Sequence, residues 1–470
     1  MKHDISKMRH NIVNMKLHET GIQKKRSYIC TNQKKVLKTI KKEVIMNRKS
    51  FSGKQLFLAA ITLLSLTWGC NKAEIDLPEP LWDGSNVRNK IVTISDLHLG
   101  IDDAFSETVR NRDMMVEFLQ RLQQTSDVRE LVIAGDFLDA WYLPVSYPSY
   151  TDEVAFYKGV IENNRKVMDE LEQVVKSGIK LVYVPGNHDM TLLQQTLQEA
   201  IPGIVQVSDA QGLGTYYTGN RKEIAIEHCH RYDVFSAPDK ITNRELCGND
   251  RTILPAGYFY ARYAATWVTE DYPKVSKQYP IISPAPDSTD IDQYNAYLYY
   301  ATIANVSQRL TPNEPLEEKI FKMHIAGFND DYTYLDFYPQ KQADGTIYAK
   351  LYKNIQRTWN ERQQQNHVNT PTTFKEAVRG TINWDYYFNQ AKNQYLLNSK
   401  ESVDVVVFGH THVPACTKVA DNKYYVNDGT WVDNNTDAKT TRTFAVITTG
   451  DKNTVELFMY EENGTLTDIR

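Results

Sequence analysis

Five short polar clusters, each directly after an apolar run, carry the side chains that could do chemistry. They read "SDLH", "GDFLD", "PGNHD", "EHCH" and "GHTH". Their histidine, aspartate and asparagine side chains match borderline divalent ions such as Mn, Fe or Zn better than a structural zinc site built from thiolates. In the last cluster, His410 and His412 alternate after a strand, so both imidazoles can point at one region. The residue types therefore predict a metal centre.

The elements that must position these clusters are short β-branched runs. Continuous apolar runs such as "KIVTI", "ELVIA" and "VDVVVF" suit strands buried on both faces. Helical patterns separate the first few runs, and their apolar faces are formed by Met115, Phe118, Leu119 and Leu122, and by Val160, Val167, Leu171 and Val174. This alternation predicts an α/β layered core, with a mixed sheet towards the C-terminus. Since sites form beyond the carboxyl ends of strands in such sheets, the five clusters are expected to meet in one crevice.

The series D-x-H, G-D-x-x-D, G-N-H-D, H-x-H and G-H-T-H resembles the calcineurin-like metallophosphoesterase family. The resemblance covers about residues 90–232 and 403–450. It implies an α/β fold, a two-sheet αββα sandwich, with two divalent or trivalent transition-metal ions (Mn, Fe or Zn) at the strand ends. By matching position, one ion would be held by Asp96, His98 and His412, the other by Asn187, His228 and His410, with Asp136 bridging both.

The same resemblance implies a mechanism. A metal-bridging hydroxide would attack the phosphorus. His188 would protonate the leaving oxygen as general acid, with Asp139 orienting its imidazole. His230 is expected either to face substrate or to serve a supporting or structural role. Cys229 is expected to be a packed small residue.

Residues 90–233 and 403–470 are predicted to form the core, interrupted by an aromatic-rich, mainly helical insertion at 234–402. An insertion between two metal-ligand strands must emerge near the site, so it is expected to act as a lid or substrate wall. Its tyrosines and tryptophans could stack on sugars, bases or acyl chains. Alternatively, they form a satellite core.

The N-terminus has the layout of an export signal. Residues 1–45, with 12 Lys and Arg against 3 Asp and Glu, are either upstream sequence outside the protein or a basic cytoplasmic tail. Residues 46–70 resemble a signal peptide ending in a lipoprotein lipobox, although Thr67 and Trp68 depart from the usual pattern. An ordinary cleaved signal or an uncleaved anchor are the alternatives. With 71–89 as a polar tether, we expect an exported protein of the periplasm or cell envelope, held to the membrane by a lipid on Cys70.

The net charge of the chain argues against one class of partner, the nucleic acids. Without residues 1–70, the chain has 39 Lys and Arg against 55 Asp and Glu, a formal charge of −16. Such an acidic chain is a poor partner for a nucleic-acid duplex. The three cysteines beyond Cys70 do not make a disulfide framework.

The sequence thus predicts metal-dependent hydrolysis of a phosphomonoester or phosphodiester, with a small-molecule, lipid or sugar ester as substrate. One alternative is a pyrophosphatase-like hydrolase of UDP-sugars or lipids. UDP-diacylglucosamine hydrolases share a helical insertion at this place, but typically carry Arg where this chain has His188. The other alternative is a non-catalytic, exported glycan-binding surface protein. The presence of every expected metal ligand argues against it.

Overall fold

The computed structural model describes residues 78–470 except 83, 148–149, 151, 249–253, 270–282, 308–316 and 324. The predicted basic extension, the signal segment with Cys70 and the first residues of the predicted tether lie outside the described residues. Within the described ranges, none of the helices combines the length and the apolar character needed to cross a bilayer.

The larger sheet of the described chain has seven strands. They are β1 (Lys90–Ile94), β2 (Val128–Ala134), β3 (Lys180–Val184), β4 (Val205–Gln206), β14 (Thr443–Thr448), β15 (Thr454–Tyr460) and β16 (Leu466–Asp468). Their order is β16-β15-β14-β1-β2-β3-β4. Strands β1 to β4 run parallel, whereas β14 pairs antiparallel with β1. The carboxyl ends of β1, β2 and β3 therefore meet at one edge.

The smaller sheet has five strands. They are β5 (Tyr216–Thr218), β6 (Ile224–Glu227), β11 (Val405–Phe408), β12 (Ala415–Ala420) and β13 (Lys423–Asn427). Their order is β12-β13-β11-β6-β5, and β11 runs parallel to both β6 and β13. Strands β6 and β11 lie side by side although nearly 180 residues separate them along the chain.

Side-chain alternation builds the layers. On β11, Val405 and Val407 belong to the apolar cluster between the two sheets, and Val406 and Phe408 belong to the cluster on the outer face. Both faces of the strand are buried, which explains its unbroken apolar sequence. The larger sheet is covered on its outer face by α1 (Arg112–Gln123), α2 (Glu153–Asn163), α3 (Arg165–Lys176) and α4 (Gln194–Ala200). The predicted two-sheet α/β sandwich is confirmed.

Residues 234–402 form helices and two hairpins in their described parts. The helices are α5 (Arg244–Cys247), α6 (Ala256–Thr269), α7 (Ile291–Ser307), α8 (Ile355–Gln365), α9 (Phe374–Gly380) and α10 (Trp384–Ala391). The hairpins pair β7 (Lys319–Met323) with β8 (Asp330–Thr333) and β9 (Gln340–Lys341) with β10 (Ile347–Tyr348). Helix α10 continues as a π-helical turn, Lys392–Leu396, and packs on the outer face of the smaller sheet.

The aromatic side chains of this segment largely pack on one another. The ring of Phe259 on α6 lies 4.4 Å from that of Phe337 and 5.5 Å from that of Phe321, measured between centroids. Such edge-to-face and tilted pairs stabilise a core beyond their buried area. Most of these rings therefore contribute to packing, and few remain to contact a ligand.

The described end of the predicted tether is packed against the core. Trp82 lies edge-on to Phe444, with 6.3 Å between ring centroids. The Arg88 guanidinium donates hydrogen bonds to the carbonyls of Ser177 and Gly178. The described tether residues therefore lie against the domain. Leu81 and Trp82 pack on its hydrophobic core, and hydrogen bonds hold Arg88 on its surface.

Candidate metal centre

The predicted ligands lie directly after five strand ends, and their backbone is unusual. Positive φ angles occur at Asp96 (52°), His98 (42°), Asp136 (48°), His410 (70°) and His412 (58°). Non-glycine residues in this region each cost about 1–3 kcal/mol and persist where the surroundings impose them, commonly at functional sites. This conformation turns the backbone sharply at the ends of these strands, which brings side chains that follow strands of both sheets to one place.

Two glycines allow the loops to approach this closely. A Cβ on Gly186 would lie 2.1 Å from Oδ1 of Asp136. A Cβ on Gly135, whose φ is +96°, would lie 2.4 Å from Nδ1 of His228. Glycine is therefore required at both positions for the loops of β2, β3 and β6 to meet.

The first group of ligand atoms comes from Asp96, His98 and His412. Oδ1 of Asp96 lies 3.1 Å from Nε2 of His412 and 3.8 Å from Nε2 of His98. The two imidazole Nε2 atoms lie 3.1 Å apart. One carboxylate oxygen and two imidazole nitrogens converge on a space of the size that one cation occupies.

The second group comes from Asp136, Asn187, His228 and His410. Nε2 of His228 lies 3.1 Å from Oδ2 of Asp136 and 3.2 Å from Oδ1 of Asn187. Nδ1 of His228 donates to the carbonyl of Ala134 at 2.8 Å, so Nε2 is the nitrogen available to an ion. The ligand atoms of His410, His228 and Asp136 all lie within 4.8 Å of one another.

Asp136 lies between the two groups. Its Oδ2 is 3.1 Å from Nε2 of His228 and 3.6 Å from Nε2 of His98, while its Oδ1 accepts the backbone N–H of His188 at 2.8 Å. A single carboxylate thus contacts ligands of both groups, as a bridging ligand between two ions would.

Charges of opposite sign compensate inside the site. Burial disfavours the charge of His228, but Asp136 and Asp96 outweigh burial and raise its pKa to about 9. Burial also opposes the charge of Asp136, yet the neighbouring histidines hold its pKa well below the usual value. The proton on His228 therefore supplies positive charge that a metal ion would supply, and metal binding would displace that proton.

Asp139 joins a predicted ligand to the predicted acid. Its Oδ2 lies 2.8 Å from Nδ1 of His98 and its Oδ1 lies 2.9 Å from Nδ1 of His188. Its Oδ1 also accepts the backbone N–H groups of Trp141 and Tyr142 at 2.7 Å. The His188 ring stacks on Trp141, with 4.7 Å between centroids and 28° between planes. Both imidazoles are thereby fixed in orientation.

The donor set fits two divalent ions. Asp96 is fully buried, and its Oδ1 accepts no hydrogen bond although it faces two imidazoles. In the described chain, the ion-pair partners of Asp96, Asp136 and Asp139 are histidines, with no lysine or arginine. Buried carboxylates facing imidazoles without a permanent cation are the arrangement that a cation completes.

His230 and Cys229 are placed away from the cavity above the site. The His230 side chain is 2% exposed, and neither ring nitrogen has a hydrogen-bond partner. Burial, together with the charges of His228 and His410, lowers the pKa of His230 well below its usual value. Cys229 is equally buried, as expected for a packed small residue. The structure therefore puts His230 beside the predicted metal ligands, without direct access to a molecule bound in the cavity.

Asp233 is a site residue that sequence reasoning missed. Its Oδ2 lies 3.2 Å from Nε2 of His410, which leaves Nδ1 of His410 for an ion. Thr381 and Tyr387, near the other end of the segment 234–402, donate to the same carboxylate at 3.0 and 3.2 Å. The available signal was its place three residues after His230, where the chain leaves the fourth cluster.

A cavity of about 400 Å³ opens over the two groups. Its floor consists of His98, Asp136, Asn187, His188, His410 and His412. Its walls come from the loop after β2, from residues 233–236, from helices α6 and α7, and from Thr381 and Ile382. A pocket of this size above convergent polar groups is where a small molecule would bind.

Comparisons with known proteins agree with this geometry. The family described as calcineurin-like phosphoesterase matches residues 89–414. A DNA polymerase II small subunit from Methanothermobacter thermautotrophicus is 32% identical over 121 residues, which are 24% of this chain and 23% of that protein's length. The chain thus spans about a quarter of that curated relative.

Two solved structures also match this chain, at low sequence identity. A dimetal phosphatase from Danio rerio covers 79% of this chain and 95% of its own, with a TM-score of 0.31 and 9% identity. A phosphopantetheinyl hydrolase from Mycobacterium tuberculosis covers 73% and 90%, with a TM-score of 0.26 and 12% identity. TM-scores this low support no conclusion about fold or activity.

Proposed function

The chain belongs to the calcineurin-like phosphoesterase family, and on that premise we propose that it hydrolyses a phosphomonoester or phosphodiester at the floor of the cavity, with two bound transition-metal ions. The observation that carries the proposal is the position of Asp136 Oδ2, within 3.6 Å of imidazoles from both ligand groups. Bound ions would supply Lewis acidity to the phosphoryl oxygens and would acidify a water molecule.

The residues of the chain would do the positioning. Asp96, His98 and His412 would hold one ion, and Asn187, His228 and His410 the other. Asp139 and the carbonyl of Ala134 fix the orientation of His98 and His228 by hydrogen bonds to Nδ1, so their Nε2 atoms face the site. Ligands oriented in this way would hold bound ions firmly in place beneath the cavity.

His188 would handle the proton. Its Nδ1 is bound to Asp139, so Nε2 is the nitrogen left for the leaving oxygen. Burial opposes its positive charge, but Asp139 and Asp136 raise its pKa above the usual value, which favours the protonated imidazole. A protonated imidazole beside the scissile bond suits general-acid catalysis.

Metal content and hydrolysis test the proposal together. Purified protein loaded with Mn, Fe or Zn should hold close to two ions per chain and cleave an aryl phosphate or an aryl phosphodiester. Protein stripped by a chelator should lose the activity and regain it when metal is restored. A protein that holds no ions and cleaves neither ester would instead favour a non-catalytic binding protein.

We also propose export and lipid anchoring through Cys70, a proposal supported by the pattern of residues 46–70 alone. Labelling with a fatty-acid analogue in a bacterial host tests this. Incorporation that disappears in Cys70→Ser is expected. Cytoplasmic, unlabelled protein would refute it.

A further inference from the structure

Building on the proposed hydrolase function, we propose that the substrate carries an apolar, uncharged organic group on the reacting phosphate, and that this group lies in the cavity against helices α6 and α7. The substrate would be an alkyl-type or aryl-type phosphoester, with no second phosphate next to the reacting one. The chemistry of the cavity walls carries this inference.

The wall beside α6 is apolar and shaped by small side chains. Gly257, Ala261 and Ala264 line the cavity from one face of the helix, and Ile303 on α7 and Phe235 face the same space. The small residues leave open volume next to the metal floor, and the larger ones close it with hydrocarbon. An apolar group placed there would gain about 25 cal/mol per Å² removed from water.

No lysine or arginine is among the described residues that line the cavity. The charged residues that do line it beyond the floor are Glu107 and Asp233. Sites for nucleotides and pyrophosphates usually offer cationic or backbone N–H partners to each phosphate. Beyond the floor, a second anionic group would therefore meet two carboxylates, hydrocarbon and uncharged hydroxyl groups such as those of Thr302 and Thr381, but no cationic side chain, which disfavours a sugar-nucleotide pyrophosphate.

Two guanidinium groups near the site are already occupied by the protein. Arg262, on α6, donates to the carbonyls of Leu143, Pro144 and Tyr147 and is 3% exposed. Arg231 lies 3.1 Å from Glu227 and donates to the carbonyl of Gly214. Neither lines the cavity, so neither supplies a positive charge to a ligand there.

The rim of the cavity also carries large, partly apolar side chains. Ile382 is 75% exposed and lines the cavity, together with Tyr260, which is 38% exposed. Adjoining exposed apolar side chains at the edge of a pocket commonly mark a ligand-binding groove. An organic group longer than the cavity would extend across these two side chains.

A chain-length series tests the proposal through binding as well as turnover. The full-length, Mn-loaded protein is titrated calorimetrically with methyl-, butyl- and octylphosphonate, which cannot be hydrolysed at the carbon–phosphorus bond. Hydrolysis of methyl, butyl and octyl phosphates and of their 4-nitrophenyl diesters is measured in parallel. Because a buried methylene contributes at most about 0.8 kcal/mol, affinity and kcat/KM should rise by up to about fourfold per methylene.

Matched leucine variants locate the organic group. Ala261→Leu and Ala264→Leu fill the cavity and should remove most of the preference for octyl over methyl compounds. Val268→Leu lies on the same helix, is 46% exposed and does not line the cavity, so it should keep the preference. Metal content and thermal unfolding confirm that each variant is folded and loaded.

The outcomes separate this proposal from the proposed function. Hydrolysis with no chain-length dependence, or better binding of a nucleoside diphosphate sugar than of octylphosphonate, overturns the substrate class and leaves the hydrolase intact. Chain-length-dependent phosphonate binding without hydrolysis of any ester supports the apolar site but refutes the hydrolase. Absence of both overturns both.

Discussion

Replacement of Asp136 by asparagine is the sharpest test of the two-ion site. The substitution keeps the shape of the side chain and an oxygen that can accept the His188 N–H. It removes the negative charge that lies 3.1 Å from His228 and 3.6 Å from His98. Asp136 is 2% exposed, so solvent screens its charge only weakly.

The size of the effect follows from that burial. Removing one partner of a buried charge pair costs about 3–5 kcal/mol. If that cost falls on metal binding and the transition state, kcat/KM should drop by at least about 10²-fold. Metal content should fall below two ions per chain. In metal-free protein the pKa of His228 should move down from about 9, since Asp136 is the principal group that raises it.

Asp127→Asn provides a matched control. Asp127 is also buried, immediately precedes β2 and lies 3.7 Å from Lys90, at the opposite end of the strand from Asp136. It should lower thermal stability while leaving metal content and kcat/KM unchanged. Full activity and two ions in Asp136→Asn would refute the bridging role. Equal metal loss in Asp127→Asn would show that general destabilisation explains the result.

Four further predictions follow from the same contacts. His188→Gln should keep both ions yet lower kcat/KM by about 10²–10⁴-fold for esters with poor leaving groups, with a smaller loss for 4-nitrophenyl esters, as steady-state kinetics would show. Gly186→Ala should lose metal, measured by elemental analysis, because its Cβ would lie 2.1 Å from Asp136 Oδ1. Asp233→Asn should weaken metal affinity by about 10–100-fold through a loosened His410 imidazole, while Asp233→Glu restores part of it. Because His228 must lose its proton to bind an ion, metal affinity should rise with pH and level off above about pH 9, with proton release visible as a buffer-dependent calorimetric heat.

The sequence predicted the fold and the floor of the site because both follow local rules. Apolar runs such as Val405–Phe408 are buried on both faces, and polar residues at the strand ends meet at one edge. The predicted ligand atoms of Asp96, His98 and His412 converge within 4.8 Å, as do those of Asp136, His228 and His410. Their roles as ligands stay predictions until metal is measured.

Other features depend on contacts that no local pattern encodes. The bond from Asp233 to His410 joins residues 177 positions apart, and an aspartate in a polar loop carries no sign of such a partner. The aromatic residues of 234–402 have the composition of a ligand wall, but rings such as Phe259 and Phe337 pack on each other. The part of the wall on α6 includes glycine and alanine, whose place beside the cavity is set by helix packing. Burial of His230 could not be foreseen from its spacing to His228.

The six predicted ligands around Asp136 come from both sheets. Asp96, His98 and Asn187 follow strands of the larger sheet, and His228, His410 and His412 follow strands of the smaller one. Each ion would therefore act as a cross-link that fastens the two halves of the sandwich at this edge. When the concentration of free ion is a hundred times its dissociation constant, binding adds about 2.7 kcal/mol to the free energy of unfolding. Scarcity of metal would then lower the free energy of unfolding of the sandwich as well as abolish the proposed hydrolysis.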